Sequence, residues 1–236
     1  DSIVISEPTA LVFSTAVSGV SCSGGSDGSI DLTVSGGTTP YGYSWSNGEN
    51  TDNISNLSAG TYTVVVTDGN GCVDSASVTV GEPSAMGLAV LLGQVTCNGG
   101  SNGSIDLNVN GGTSPYGYSW SNGDTIQDLI GLPADTFTVV VTDDNGCTDT
   151  LTSVITEPSE IVTGTISGAT QANIGTTEPY SVTGNTGSTY TWTVTNGTIS
   201  SGQGGAQIEV LWPSSSGIGQ VAVVEMTQDS CYGDTV

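Results

Sequence analysis

The sequence predicts an all-β protein, built of tandem small β-sandwich domains arranged as an extended rod, and three observations support this prediction. Glycine supplies 35 of the 236 residues, and Ser, Thr, Val and Asn are also abundant. Short runs in which apolar and polar residues alternate are separated by Gly-rich turns. One block of 75 residues occurs twice in succession. Such a composition favours strands and tight turns over helices.

The repeat is marked by a Glu-Pro pair at the end of each block, at Glu82-Pro83 and Glu157-Pro158. The two blocks align without a gap, which is the signature of a duplicated domain. The residues before the first block end in the same Glu-Pro pair, and those after the second block follow a different pattern. The predicted domains are the last strand of a preceding repeat (1–8), repeat 1 (9–83), repeat 2 (84–158) and a third module (159–236).

Alternating apolar residues predict the strands of the first repeat. Ile30, Leu32 and Val34 alternate with polar residues, so they line one face of a strand. Turn-forming pairs such as Asn47-Gly48 separate the runs. The same alternation predicts three further strands, around residues 41–45, 62–66 and 78–80.

Two features of the repeats are typical of an immunoglobulin-like sandwich. Trp45 and Trp120 occupy the same place in their repeats and are predicted to be the buried Trp of a middle strand. Residues 57–62 resemble a tyrosine corner, in which a Tyr early in a late strand bonds back to the preceding backbone. Phe137 replaces Tyr62 in the second repeat, so a hydroxyl is absent there.

The charge balance restricts both partners and chemistry. The chain has 23 Asp and Glu residues and no Lys, Arg or His, so its net charge is −23. Each carboxylate must therefore be solvated, accept hydrogen bonds from N–H groups, or bind a cation. This charge argues against nucleic acid and against anionic membrane surfaces as partners. The sequence contains no apolar run long enough for a membrane-spanning helix.

The missing residue types also argue against an enzyme. Without His there is no proton shuttle near neutral pH, and without Lys there is no Schiff base. Phosphate clamps need Arg or Lys. A hydrolase with two carboxylates remains formally possible, but the acidic residues lie in sequences typical of turns.

Five cysteines predict disulfides and an oxidising, extracellular location. Each repeat holds two cysteines at the same spacing, which predicts the pairs Cys22–Cys72 and Cys97–Cys147. Closing a loop of about 50 residues would stabilise a small domain by about 4 kcal/mol. Free buried thiols or a metal site are the alternatives, although His and Cys-x-x-Cys motifs are absent. Cys231 has no partner in its module, so we expect it to pair beyond the C-terminus or with another chain.

Three ordered motifs occur in both repeats: Cys-x-Gly-Gly-Ser, Pro-Tyr-Gly-Tyr-Ser-Trp-Ser-Asn-Gly and Thr-Val-Val-Val-Thr-Asp-x-Asn-Gly-Cys, followed by the closing Glu-Pro. Residues 22–83 and 97–158 thereby resemble the SprB repeat, a module arrayed in gliding-motility adhesins of Bacteroidota. Residues 190–197 and 208–212 give the last module a resemblance to PKD-type domains. These resemblances imply export of the parent protein by the type IX secretion system, display on the outer surface, and a role in adhesion or gliding.

Calcium is the one cofactor that the sequence suggests. Asp68 with Asn70, and Asp143 with Asn145, place oxygen ligands at alternate positions beside glycine, as in part of a calcium loop. The closing Glu of a complete calcium loop is missing. A metal-free hairpin turn explains the same residues.

Five Asp-Ser/Thr-aliphatic triplets resemble the O-glycosylation sequence of Bacteroidota. Ser75 and Thr150 occupy the same place in the two repeats. The alternative is chance, because Asp, Ser and Thr are common in this chain. The candidate acceptors are Ser2, Ser75, Thr125, Thr150 and Thr235.

Three functions are compatible with these features. The first is a structural stalk segment of a secreted cell-surface adhesin or fibre, which would contact an extracellular surface or a polysaccharide. The second is an extracellular filament subunit that joins copies of itself by strand addition. The third is a carbohydrate-binding module in which Tyr41 and Tyr116, each next to a proline, contact a sugar. Packing in the core is the alternative role of these aromatic residues.

Overall fold

The computed structural model of the chain describes residues 9–235, and the strand expected in residues 1–8 lies outside the described residues. The regular elements in residues 9–235 are nineteen β-strands. No helix in this range could cross a membrane. The strands form six antiparallel sheets of three or four strands each, as the alternating sequence pattern predicts.

The described residues form two compact units, and the second repeat contributes segments to both. The first unit contains the chain up to Ala89 together with Leu107–Gln127 and Thr138–Thr152. The second contains Val90–Asp106, Asp128–Phe137 and the chain from Ser153 onward. The domain borders at residues 83 and 158 stay a prediction from the sequence.

The first repeat has the strand order of an immunoglobulin-like sandwich. One sheet has the order β1-β2-β4 and the other the order β3-β5-β6. These correspond to strands A, B and E on one sheet and C, F and G on the other. Its strands are β1 (Val12–Ser18), β2 (Gly28–Ser35), β3 (Gly42–Trp45), β4 (Asn53–Leu57), β5 (Gly60–Thr67) and β6 (Val73–Val80).

The core of the first repeat consists of the residues that the alternation placed on inner faces. Ile30 and Leu32 from β2 pack with Val64 and Val66 from β5, and all four are buried. Trp45, on the strand equivalent to C, is only 3% exposed, and its indole N–H donates to the carbonyl of Thr51 at 2.8 Å. Each such apolar side chain contributes about 1.5–3 kcal/mol by leaving water.

The predicted tyrosine corner is present in the first repeat. The Tyr62 hydroxyl, early in β5, donates to the Ser58 carbonyl at 2.9 Å. This bond ties the start of β5 to the connection from β4, which is the corner position in immunoglobulin-like domains. In the second repeat Phe137 fills the same position and is buried, and it has no hydroxyl to donate the corner hydrogen bond.

The second repeat has the same strand order. Its sheets have the orders β7-β8-β10 and β9-β11-β12, and Trp120 is buried on β9 as predicted. The strands are β7 (Gly87–Gly93), β8 (Gly103–Asn110), β9 (Gly117–Trp120), β10 (Leu129–Leu132), β11 (Asp135–Thr142) and β12 (Thr148–Ile155).

The third module is a seven-stranded sandwich. Its sheets have the orders β13-β14-β17-β16 and β15-β18-β19, which match strands A-B-E-D and C-F-G of a constant-type immunoglobulin domain. Trp192 on β15 is buried with Val210 and Val223 in its core. The strands are β13 (Ile166–Gly168), β14 (Thr177–Val182), β15 (Thr189–Thr195), β16 (Thr198–Ser201), β17 (Gln207–Leu211), β18 (Gln220–Met226) and β19 (Tyr232–Thr235).

Candidate functional site

The cysteines form disulfides between modules and not within them. Cys22 is bonded to Cys147, 125 residues later, and Cys97 is bonded to Cys231, 134 residues later. Cys72 is a free, exposed thiol. The predicted pairs Cys22–Cys72 and Cys97–Cys147 are therefore wrong, and so is the expectation that Cys231 pairs outside this chain.

The strand order explains why Cys22 cannot reach Cys72. The backbone next to Cys22 bonds to the end of β6, because the N–H of Val20 donates to the carbonyl of Gly81 at 3.0 Å. Cys72 directly precedes the start of β6 at Val73. Eight strand residues separate the two ends, a distance of roughly 25 Å. A disulfide needs Cα atoms about 4.4–6.8 Å apart.

The first cysteine of each repeat lies in a loop that we call the cysteine loop, residues 21–27 in repeat 1 and 96–102 in repeat 2. Carboxylates hold the first of these loops. Asp27 accepts hydrogen bonds from the hydroxyl and the backbone N–H of Ser21, and these bonds lower the pKa of Asp27. Glu82, from the Glu-Pro pair, accepts the N–H of Gly24 at 2.7 Å.

The second cysteine loop is built in the same way with one exchange. Asn102 replaces Asp27 and accepts the N–H of Thr96 at 3.1 Å, while its amide donates to the Thr96 hydroxyl at 2.8 Å. Glu157 accepts the N–H of Gly99 at 2.6 Å. The closing Glu-Pro motif is therefore part of the cysteine loop as well as a repeat border.

The second cysteine of each repeat, and the single cysteine of the third module, ends a tight turn that we call the cysteine turn, residues 68–72, 143–147 and 227–231. In the first turn Asp68 accepts the N–H groups of Thr38, Asn70 and Cys72 at 2.8–2.9 Å. These bonds, with that of Cys72 the largest contributor, lower the pKa of Asp68. The carboxylate thereby joins the turn to the loop that contains Thr38.

The second cysteine turn repeats this arrangement. Asp143 accepts the N–H groups of Thr113, Asn145 and Cys147 at 2.8–3.0 Å. Desolvation raises the pKa of Asp143, but the N–H donors outweigh it and the net shift is downward. Among the described residues no group of three or more Cys, Asp or Glu side chains is arranged to hold a metal ion. Calcium at Asp68, Asn70, Asp143 and Asn145 stays a prediction.

The third cysteine turn has the same backbone bonds, with Thr227 in place of the Asp that begins the other two turns. The N–H of Thr227 donates to the carbonyl of Cys231 at 2.9 Å, as the N–H of Asp68 does to that of Cys72. The signal that identifies Cys231 as a pairing residue is its position. Like Cys72 and Cys147, it directly precedes the last strand of its module.

Polar contacts accompany both disulfides. The Asn145 side-chain amide donates to the Ser21 carbonyl at 3.1 Å, and Cys147 Sγ lies 3.4 Å from the same oxygen. In the other pair, Cys231 Sγ lies 3.3 Å from the carbonyl oxygen of Thr96. In each case the residue before the loop cysteine therefore presents its carbonyl to the turn.

The predicted ligand-contact tyrosines are half-buried, and their hydroxyls are used within their own repeat. Tyr41 donates to the carbonyl of Gly36 at 2.5 Å, and Tyr116 donates to that of Gly111 at 2.6 Å. A side chain at Gly36 would place its Cβ 2.0 Å from the carbonyl oxygen of Ala10, so this tight loop requires glycine. A sugar-binding role of the two tyrosines stays a prediction.

Three of the predicted glycosylation acceptors are exposed. These are Ser75 on β6, Thr125 in the connection before β10, and Thr150 on β12. Ser2 lies outside the described residues, as does the side chain of Thr235. Glycosylation stays a prediction.

Two stretches of the chain match the SprB repeat. The family model covers residues 14–50 and 93–125, which span the cysteine loop and the strand of the buried Trp in each repeat. This match supports the resemblance of both repeats. No curated protein matches the chain.

Several solved structures are similar to the chain. Sidekick-1 immunoglobulin domains 1–5 are 12% identical over 98% of this chain and 58% of that one, with a TM-score of 0.35. The N-terminal eight immunoglobulin domains of Down Syndrome Cell Adhesion Molecule are 10% identical over 92% and 35%, with a TM-score of 0.36. Invasin, a bacterial integrin-binding protein, is 15% identical over 92% and 57%, with a TM-score of 0.32.

The chain spans less than two thirds of each of these three structures. TM-scores of this size do not establish a shared domain arrangement, so the immunoglobulin-like architecture rests on the strand orders. Together with the two disulfides, the SprB match points to an extracellular or cell-surface protein.

Proposed function

We propose that the chain is a structural stalk segment of a secreted bacterial cell-surface adhesin or fibre, involved in adhesion or gliding. The observation that carries the proposal is the pair of disulfides that join one module to the next, Cys22–Cys147 and Cys97–Cys231. The SprB match in both repeats supports the same function.

The two disulfides overlap along the chain, which has a mechanical consequence. Residue 97 lies inside the segment closed by Cys22–Cys147, and residue 147 lies inside the segment closed by Cys97–Cys231. When the two ends are pulled apart, tension is therefore transmitted through both disulfides, and the chain that they bypass is not stretched. Only about 75 residues can then extend, to roughly 260 Å, against roughly 830 Å for all 236 residues.

This arrangement suits a load-bearing segment outside the cell. Modules that unfold under tension would stay covalently joined and would release little length. Uniform negative charge opposes non-specific association of neighbouring stalks. The absence of Lys and Arg leaves trypsin-like proteases no cleavage site.

The finer parts of the proposal follow the family resemblance. The third module would be a PKD-like domain, the parent protein would be exported by the type IX system, and the exposed Ser75, Thr125 and Thr150 would carry glycans. The partner would be an extracellular surface or polysaccharide bound by another part of the parent protein.

Single-molecule force spectroscopy tests the mechanical function. The chain is held by its two ends and stretched with and without a reducing agent. We expect a final extension of roughly 260 Å when oxidised and roughly 830 Å when reduced. The Cys72→Ser variant is the matched control and should behave like the unchanged chain. Equal extensions under both conditions would overturn the proposal.

A further inference from the structure

Cys72 is unpaired at a position where the equivalent cysteines are both bonded. Cys147 and Cys231 end the other two cysteine turns, and each is joined to a cysteine loop of the module before its own. Cys72 ends the first cysteine turn and is exposed. Two of the three cysteine turns in the described chain are therefore bonded to a cysteine loop, and the turn of Cys72 is not.

The open turn already has the geometry of the occupied turn at Cys147. The N–H of Asp68 donates to the Cys72 carbonyl at 2.9 Å, and the N–H of Asp143 donates to the Cys147 carbonyl at 2.9 Å. The carboxylates of Asp68 and Asp143 both accept the N–H of the turn cysteine at 2.8 Å. The hydrogen bonds that hold the backbone at Cys72 are therefore those that hold it at Cys147.

The amide beside the thiol is also in place. Asn70 donates to the Thr38 hydroxyl at 2.9 Å, as Asn145 does to that of Thr113 at 3.0 Å. Asn145 additionally donates to the carbonyl of the residue before the loop cysteine, Ser21. Asn70 is positioned to make this second bond to an incoming loop.

We propose that Cys72 forms a disulfide with the first cysteine of a further SprB-type repeat, whose cysteine loop carries the sequence Ser/Thr-Cys-x-Gly-Gly. The Asn70 side-chain amide donates a hydrogen bond to the carbonyl of the residue before that cysteine. The inference rests on the proposed stalk function in one respect, namely that modules of this kind are arranged in series. It extends the series of disulfides by one step before the first repeat.

The bond forms by thiol–disulfide exchange, for which oxidised glutathione is a sufficient oxidant. The thiolate of one cysteine attacks glutathione disulfide, forms a mixed disulfide and releases one glutathione. The thiolate of the second cysteine attacks the protein sulfur of the mixed disulfide and releases the second glutathione. Two protein thiols are thereby oxidised to a disulfide, glutathione disulfide is reduced to two thiols, and the two protons pass to glutathione.

A chain with the first repeat duplicated tests the inference, because it supplies an additional cysteine loop before an intact Cys72. Residues 9–83 are inserted a second time in front of residue 9, and the protein is refolded with oxidised glutathione. Free thiols are counted by alkylation and mass spectrometry. Two matched variants replace Cys72 by Ser, one in the first copy and one in the second copy.

The two variants separate pairing between copies from pairing within a copy. If the loop of the first copy bonds to Cys72 of the second, the first-copy variant has no free thiol and the second-copy variant has two. Pairing within the first copy gives the reverse result and overturns the inference. Two additional free thiols in the unsubstituted duplicated chain, relative to the unchanged chain, also overturn it.

Peptide mapping separates this outcome from failure of the proposed function. A protease that cuts after Asp or Glu is required, because the chain has no Lys or Arg. If Cys22–Cys147 and Cys97–Cys231 form but the additional bond does not, the inference fails and the stalk proposal stands. If none of the three bonds forms, both fail.

Discussion

Cys22 is bonded to Cys147 in the second repeat and not to Cys72 in its own repeat. Within one repeat, Cys22 and Cys72 lie at opposite ends of β6. The disulfides therefore join neighbouring modules. Small domains with few apolar residues often depend on disulfides for their own stability. Here the disulfides connect domains. The core of each sandwich consists of buried strand residues, such as Val64 and Val66 in the first repeat.

Loss of a cross-module bond should destabilise the chain strongly. The Cys147→Ser substitution opens a covalent loop closed over 125 residues, and we expect a loss of about 4–5 kcal/mol of unfolding free energy. Denaturant unfolding of the oxidised protein measures this loss. The Cys72→Ser control removes a free thiol and should leave the midpoint unchanged. Equal destabilisation by both substitutions would contradict the assigned pairing.

The tyrosine corner should contribute a single hydrogen bond. Tyr62→Phe removes the bond from the hydroxyl to the Ser58 carbonyl and should cost about 1 kcal/mol, as measured by denaturant unfolding. Phe137 already occupies the equivalent position in repeat 2, so we expect the variant to fold. Tyr43→Phe is the control, because the Tyr43 hydroxyl has no hydrogen-bond partner among the described residues. A larger loss for Tyr43→Phe would contradict the assignment of the corner.

The cysteine loop of the first repeat should be sensitive to acid. The pKa of Asp27 is lowered from its ordinary value of 3.8 by the Ser21 hydroxyl and N–H. Because the folded-state pKa lies below the unfolded one, the ionised form stabilises the fold above about pH 4. This contribution is lost as the pH falls through the folded-state pKa.

The Asp27→Asn variant isolates that contribution, because Asn102 serves at the equivalent place in repeat 2. Thermal melting of both proteins between about pH 7 and pH 2 should show a shallower decline for the variant below about pH 4. Parallel declines would show that Asp27 does not contribute to the acid sensitivity.

Calcium should have little effect on the cysteine turns. Both oxygens of Asp68 and of Asp143 already accept backbone N–H groups. We therefore expect the melting temperature to be the same in excess calcium and in a chelator. A higher value in calcium that is abolished by Asp68→Asn and Asp143→Asn would instead establish the calcium site suggested by the Asp-x-Asn spacing.

Most of the fold could be predicted from periodicity. Ile30 and Leu32 alternate with polar residues, and Trp45 lies on a middle strand; the structure places all three in the core. The third module was harder to predict in detail. Its buried Glu225 accepts hydrogen bonds from Asn185 and Tyr190, partners 40 and 35 residues away that no local pattern connects.

The cysteine pairing could not be predicted from spacing within a repeat. Equal spacing of Cys22 with Cys72 and of Cys97 with Cys147 is equally compatible with bonds inside each repeat and with bonds from each repeat to the next. The choice depends on which ends of the sandwich the cysteines occupy, and strand order decides this.

The sequence alone determined that this is an all-β chain of repeated small domains with buried Trp residues and no internal cation for its carboxylates. These properties follow from composition and short-range periodicity. Only the tertiary structure decided that Cys22 bonds to Cys147, that Cys97 bonds to Cys231, and that Cys72 is left free. The physical reason is distance, because β6 separates Cys22 from Cys72 by several times the reach of a disulfide.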